Sequence, residues 1–139
     1  MAFTPYLNFK GTCREAFTRY QEIFGGELYV MDGGDMPTGE EMPSDWDPDL
    51  VVHAALMTEG GMIMASDAPD LDGLPAATYV HHEAKDVDDA RRTFEALAEG
   101  GDVEMPFGET FWSPGFGSCR DRWGTLWMVS APSEFQMPG

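Results

Sequence analysis

The sequence holds only two cysteines, Cys13 and Cys119, in 139 residues. They lack the close spacing of metal-binding pairs, and one pair is too sparse for a disulfide framework, so two reduced thiols are expected. Lysine is equally rare, with Lys10 and Lys85 the only two. Against 8 Lys and Arg stand 25 Asp and Glu, for a formal charge of −17. A field of that sign repels phosphate backbones and anionic lipid, which disfavours nucleic acid and membranes as partners. No apolar run is long enough to span a bilayer. Met1-Ala2-Phe3-Thr4-Pro5 lacks the basic start and apolar core of a signal peptide, so a cytoplasmic location is expected. Signatures of covalent and cofactor chemistry are missing too. There is no Gly-x-Ser-x-Gly, no phosphate-cradling loop, no dinucleotide fingerprint and no glycine-rich turn of the kind that holds an adenosyl cofactor. No cofactor is expected, and no catalytic residue can be named.

What the sequence does contain is internal repetition, the first thing to seek at this length. Gly61-Met62-Ile63-Met64-Ala65-Ser66-Asp67-Ala68-Pro69 lines up with Gly124-Thr125-Leu126-Trp127-Met128-Val129-Ser130-Ala131-Pro132. The offset is 124 − 61 = 63. Two helices repeat as well. Thr12-Cys13-Arg14-Glu15 reads as a capping box, with Ala16, Phe17, Tyr20, Ile23 and Phe24 on one helical face before Gly25-Gly26. Asp86 caps a second helix whose apolar face is Val87, Ala90, Phe94, Leu97 and Ala98, ended by Gly100-Gly101. Ala16 to Ala90 and Tyr20 to Phe94 are both 74 residues apart.

Each helix follows an expected strand, Tyr6–Phe9 or Thr78–His82. Three more strand-like runs follow each helix: Glu27–Met31, Leu50–Thr58 and Met62–Ser66, then Asp102–Met105, Phe116–Arg120 and Thr125–Ser130. Gly60-Gly61 and Asp121-Arg122-Trp123-Gly124 suit the hairpin turns. The fold class expected is α+β, two tandem βαβββ modules forming curled mixed sheets. Module one spans 1–69, module two 76–132, and a linker covers 70–75. A sheet with one helix on its outer face still has an inner face to cover, and pairing two such sheets encloses a natural ligand site.

Pro5-Tyr6-Leu7-Asn8-Phe9, Glu15-Ala16-Phe17 leading to Tyr20, Ile23-Phe24-Gly25-Gly26, His53-Ala54, Met64-Ala65-Ser66-Asp67, Phe111-Trp112 and Asp121-Arg122-Trp123-Gly124 ending at Trp127 run through nearly the whole chain in order. In these the sequence resembles the PhnB-like branch of the glyoxalase/bleomycin resistance protein/dioxygenase (vicinal oxygen chelate) superfamily. The resemblance implies a homodimer. It does not select an activity, because that superfamily includes isomerases, dioxygenases, epoxide-opening transferases and drug-binding proteins. Its enzymes hold a divalent metal with His, Glu or Gln from the first and last strands of each module, and the metal acts as a Lewis acid. Here the first-strand positions fall near Thr4 or Pro5 and near Thr78 or Tyr79. The 63-residue offset puts the last-strand positions at Ala65 and Met128. None is a metal-binding carboxylate or imidazole, so the superfamily's metal site is expected to be missing.

Candidate ligand contacts come from the remaining residues. Val51, His53, Ala55 and Met57 are expected to share one strand face. His81 and His82, being consecutive strand residues, must point to opposite faces. His53 with one of these two histidines and a carboxylate is the alternative, a relocated metal site for a lyase or dioxygenase. The acidic stretch from Asp32-Gly33-Gly34-Asp35 through Glu40-Glu41 to Asp45, Asp47 and Asp49 fails calcium-loop spacing and reads as a solvated loop or a lid carrying Met36, Met42 and Trp46. In the second half, Phe107, Phe111, Trp112, Phe116, Trp123 and Trp127 form an aromatic series broken by glycine and proline, which suits a flat or apolar ligand. Cys119 beside Arg120 is either a plain strand cysteine or a thiol of lowered pKa. The expectation is a homodimeric small-molecule-binding protein, with His53, Trp112, Phe116 and Trp127 contacting the ligand.

Overall fold

The computed structural model describes residues 3–35, 47–68 and 78–133. The chain forms two compact units, Met1–Leu74 and Pro75–Gly139. The expected linker, and most of the acidic stretch with Met36, Met42 and Trp46, lie outside the described residues.

The first unit contains strand β1 (Tyr6–Phe9), helix α1 (Cys13–Phe24), and strands β2 (Glu27–Asp32), β3 (Val51–Thr58) and β4 (Gly61–Asp67). A short 3₁₀ turn, Gly33–Asp35, follows β2. The second unit repeats the order with β5 (Tyr79–Glu83), α2 (Val87–Ala98), β6 (Asp102–Gly108), β7 (Phe116–Arg120) and β8 (Leu126–Ser130). Each unit is one mixed four-stranded sheet, ordered β1-β4-β3-β2 or β5-β8-β7-β6. The first and last strands of each unit run parallel, and the other pairs are antiparallel. The α+β class and the doubled βαβββ pattern are as expected.

Each sheet buries one face under its helix. In the first unit Phe9, Phe17 and Tyr20 form an aromatic cluster, with ring centroids 6.1 and 5.4 Å apart. Cys13, Ala16, Ala54, Leu56 and Ala65 complete it without exposed surface to speak of. In the second, Ala90, Phe94 and Leu97 of α2 are buried with Cys119, Trp127 and Val129 of the sheet. Removing one such ring, as in Phe17→Ala, costs about 3–5 kcal/mol by lost burial and the cavity left behind.

The Gly-Gly stops play one role in both units. A Cβ on Gly26 would lie 2.2 Å from the Met57 carbonyl oxygen, and one on Gly101 would lie 2.1 Å from that of Arg120. The helix exit is pressed against the sheet backbone at matching places, 120 − 57 = 63 residues apart. The next strand is out of step with that number. Met57 pairs with Met62, whereas Arg120 pairs with Leu126, an offset of 126 − 62 = 64. The second hairpin is one residue longer, and in a strand one residue reverses the face. Ala65 is therefore no counterpart of Met128: Ala65 is buried on the helix side, and Met128 lies on the other face.

Two further expectations are corrected. Thr12 makes no side-chain cap for α1. A different free donor of the helix start is satisfied from far away: the Cys13 N–H donates to the Asp67 carboxylate at 3.0 Å. Asp86 does cap α2, accepting the Asp89 N–H at 2.7 Å. Val51 does not share the His53 face. Met31 pairs with His53 but Asp32 with Val51, so Val52 is an extra, bulged residue. The bulge turns Val51, 1 % exposed, towards the helix side with Asp32, which meets Arg14 of α1.

Candidate functional site

The faces of interest are those the helices leave uncovered. In the first unit, β1 contributes Tyr6 and Asn8, β4 Met62, Met64 and Ser66, β3 His53, Ala55 and Met57, and β2 Tyr29 and Met31, as the strand pairings and alternation require. His53 lies half-buried here. Its ring stacks on Tyr6 with centroids 6.0 Å apart, and Tyr6 Oη is 3.5 Å from His53 Nδ1.

In the second unit the helix-facing side is marked by Gly117, where a Cβ would touch the Phe94 ring at 2.9 Å. Phe116, Ser118 and Arg120 point the opposite way, beside Leu126, Met128 and Ser130 of β8 and Tyr79, His81 and Glu83 of β5. His81 Nε2 lies 2.7 Å from Ser130 Oγ. Ser130 is the direct cross-strand partner of Phe116. The Phe116 ring meets Trp112 edge-on at 5.3 Å, and Trp112 meets Phe111 at 4.8 Å. Phe111 is 83 % exposed.

The loop carrying Trp112 is tied down by buried Ser113, whose Oγ is within hydrogen-bond distance of the Gly115 and Ala131 carbonyls, 2.8 and 3.2 Å. A Cβ on Gly115 would lie 2.7 Å from the Phe107 ring, so a larger residue there has to displace that ring. A polar pair and an aromatic wall thus stand side by side on one sheet. Further along, the Tyr79 hydroxyl donates to Glu104 at 2.5 Å, and that bond pushes the phenol pKa up.

Of the residues expected to contact a ligand, Trp112 and Phe116 are brought together in the second unit, and His53 belongs to the first. Trp127 is placed otherwise. It is 2 % exposed, shares the helix-facing side with Cys119 and Val129, and its indole N–H donates to Asp121 at 2.9 Å. It is a core residue, since an indole sealed under a helix offers a ligand no surface. Sequence reasoning missed the His81–Ser130 pair. The two are 49 positions apart and meet only because β5 and β8 run parallel.

His81 and His82 do face opposite ways. The buried environment of His82, on the helix side near Asp89, lowers its pKa. Cys119 is no activated thiol: burial pushes it up to about 11, and Cys13 to about 12.

Among the described residues, the first and last strands of the two units carry few groups able to hold the superfamily's divalent metal. On the uncovered faces, the first- and last-strand pairs are Tyr6–Met64 and Asn8–Ser66, then Tyr79–Leu126, His81–Met128 and Glu83–Ser130. The first unit supplies neither imidazole nor carboxylate at these places, and a hard divalent ion needs such donors. Among the described residues there is no group of three His, Cys, Asp or Glu side chains placed to hold an ion. No described helix is long and apolar enough to cross a membrane.

Residues 8–129 match the Glyoxalase/Bleomycin resistance protein/Dioxygenase superfamily, and the chain belongs to it. It is 36 % identical to Protein YjdN of Escherichia coli K12, over 96 % of this chain and 97 % of that one. It is 40 % identical to the crystal structure of protein PA1353 from Pseudomonas aeruginosa, with a TM-score of 0.84 over 94 % of this chain and 97 % of the other. A PhnB protein from Bacillus cereus, described as a putative 3-demethylubiquinone-9 3-methyltransferase, shares the fold at 21 % identity, with a TM-score of 0.74 over 95 % of this chain and 100 % of that one. The PhnB-like character read from the sequence agrees with these relatives.

Proposed function

We propose that this protein binds a small molecule on its helix-free sheet faces, as a homodimer and without the superfamily's metal site. One observation carries the reading. His81 and Ser130 form a hydrogen-bonding pair directly beside the Phe116–Trp112 wall, on a face no helix covers. An apolar surface with a few convergent polar groups is the usual composition of a small-molecule site. The aromatic wall supplies area for a flat ligand, and the imidazole–hydroxyl pair orients one polar group on it. His53, stacked on Tyr6, provides a second polar and aromatic element on the first unit. The charge of −17 disfavours anionic guests and favours neutral or cationic aromatic ones, which the ring faces also attract.

The test is a thermal-shift screen of neutral, cationic and anionic aromatic compounds, followed by calorimetry on each hit. Binding raises the melting temperature by mass action. Ser130→Ala and Trp112→Ala are expected to weaken a hit by about tenfold each, the equivalent of one lost hydrogen bond or aromatic contact. Hits that bind both variants as tightly as the parent chain would refute the site.

A further inference from the structure

One hydrogen bond on the uncovered face of the second unit joins the two outer strands of its sheet. The strand order is β5-β8-β7-β6, and Tyr79 of β5 donates to Glu104 of β6 at 2.5 Å. Three inter-strand spacings lie between those strands, about 14 Å in a flat sheet. A tyrosine and a glutamate close that distance only when both side chains lie along the face and the sheet curls beneath them. Glu104 is suited to this by a bulge: Val103 pairs with Cys119 and Met105 with Ser118, which leaves Glu104 as the extra residue. A bulge bends its strand and re-aims a side chain.

The register names what the pair crosses. Leu126 of β8 is the direct partner of Tyr79, and Arg120 of β7 is the direct partner of Leu126. Arg120 opposes the rise in the phenol pKa that the Glu104 bond causes, which places the guanidinium beside the same bond. Its Nη1 donates to the Gly124 carbonyl at 3.2 Å. Leu126 shows the consequence. It points away from α2 together with Arg120 and Met128, yet only 3 % of it is exposed. An apolar side chain is thus sealed on a face that no helix covers. The aromatic wall stands elsewhere on that face, because Phe116 and Arg120 are the two ends of β7, roughly 13 Å apart.

We propose that the Tyr79–Glu104 bond is a strap drawn across this end of the face, and that its release uncovers an apolar subsite on Leu126 for a neutral aromatic or aliphatic group. Glu104 and Arg120 flank the leucine with opposite charges, so neither a cation nor an anion is preferred there. A hydrogen bond facing solvent is modest in net strength, which makes the open form a minor state within reach of a ligand. Such a ligand binds more weakly in proportion to the fraction of the chain that is open. The subsite rests on the small-molecule reading, and the strap does not.

The first experiment needs no ligand. Relaxation of the Leu126 methyl protons by a neutral gadolinium chelate measures how far solvent reaches that side chain in the full-length chain. The parent is expected to shield them. Tyr79→Phe and Glu104→Ala each remove the bond from one end, and each is expected to raise the relaxation by about twofold or more. Val129, fully buried on the helix side, is expected to stay shielded in all three, which shows that the variants keep the fold. The second experiment is fluorescence titration with N-phenylnaphthylamine, a neutral aromatic probe. Tyr79→Phe is expected to bind it about three- to tenfold more tightly than the parent, because the closed form no longer competes. The probe is also expected to shift the Leu126 methyl signals. The strap is overturned if the chelate reaches Leu126 equally in the parent and both variants. The subsite is overturned if the variants open but the probe binds them no better, or leaves the Leu126 signals in place. Ser130→Ala and Trp112→Ala leave the strap intact, so a failure of the wider small-molecule reading shows in those variants and not in the chelate measurement.

Discussion

The Asp67 carboxylate, at the last residue of β4, takes the N–H of Cys13, the first residue of α1, at 3.0 Å. Its other oxygen accepts the Val51 N–H at 2.8 Å. One buried side chain therefore fixes the helix start and the beginning of β3. Asp121 does comparable work in the second unit, accepting N–H groups of Trp123 and Thr125 at 3.0 Å each and the Trp127 indole at 2.9 Å. Asp67→Ala leaves two donors short of partners. Hydrogen bonds to a charged group contribute about 1.5–3 kcal/mol each, so a loss of about 3 kcal/mol in urea unfolding is expected. A loss below about 1 kcal/mol would mean that water replaces the carboxylate.

Gly101 is the cleanest probe of the contact between helix exit and sheet. Its backbone lacks the positive φ of Gly26, so an alanine there meets a steric obstacle alone: the Arg120 carbonyl oxygen 2.1 Å from the new Cβ and the Asp121 backbone 2.9 Å from it. The obstacle is backbone and cannot swing aside. Gly101→Ala is expected to cost about 2 kcal/mol or more. Gly25→Ala, with nothing within 4 Å of the Cβ but a φ of +73°, isolates the conformational part, about 1 kcal/mol. Equal losses at the two positions would contradict the crowding argument.

The doubled architecture was legible in the sequence because it is written in local signals. Apolar spacing at Ala16, Phe17 and Tyr20, alternation in the strands, the Asp86 cap and the paired glycines all act within a few residues. What escaped were events of one residue or of long range. The bulge at Val52 and the extra residue in the second hairpin leave no mark in composition, yet each exchanges the two faces of a strand, which is why Val51 and Ala65 were assigned wrongly. At the start of α1 the free donor that is satisfied is the Cys13 N–H, taken by Asp67 54 positions away, a contact no local pattern announces. Trp127 reads like a pocket aromatic until the sheet shows which side it occupies. For the same reason His81 and Ser130 could not be joined before β5 and β8 were seen to pair.

His82 makes the second unit sensitive to acid. Its pKa is lowered in the folded chain, chiefly by burial, with Asp89 and Glu83 opposing and His81 adding to the shift. Below the ordinary histidine value of 6.5 the unfolded chain takes up this proton before the folded one does. The contribution is whole above that pH and lost as pH falls towards the folded-state pKa. His82→Gln removes the titration. The parent chain's melting temperature is expected to drop more steeply than the variant's between about pH 6.5 and pH 5. Parallel curves would show that His82 does not control the acid limb.

The two thiols give the opposite limb. Both are fully buried, with pKa values pushed from 9.0 to about 12 for Cys13 and about 11 for Cys119. Only the thiolate reacts, so neither residue is expected to be labelled by iodoacetamide or a disulfide reagent at pH 8 in the native chain, and both are in urea. The same shifts bear on stability. As pH rises through 9, the unfolded chain ionises its thiols while the folded chain keeps them neutral, so the folded state loses ground until its own pKa values are reached. At one pH unit above the unfolded value this amounts to about 1.4 kcal/mol per thiol. Cys13→Ser and Cys119→Ser remove this dependence, and each variant is expected to show a shallower fall in unfolding free energy between about pH 8.5 and pH 10. Because both thiols are buried and neutral in the folded chain at pH 8, the slow labelling that does occur should follow the equilibrium population of the unfolded chain. Rapid modification of either cysteine without loss of structure would show that the sheet–helix layer opens locally, and the burial assigned to these thiols would then be wrong.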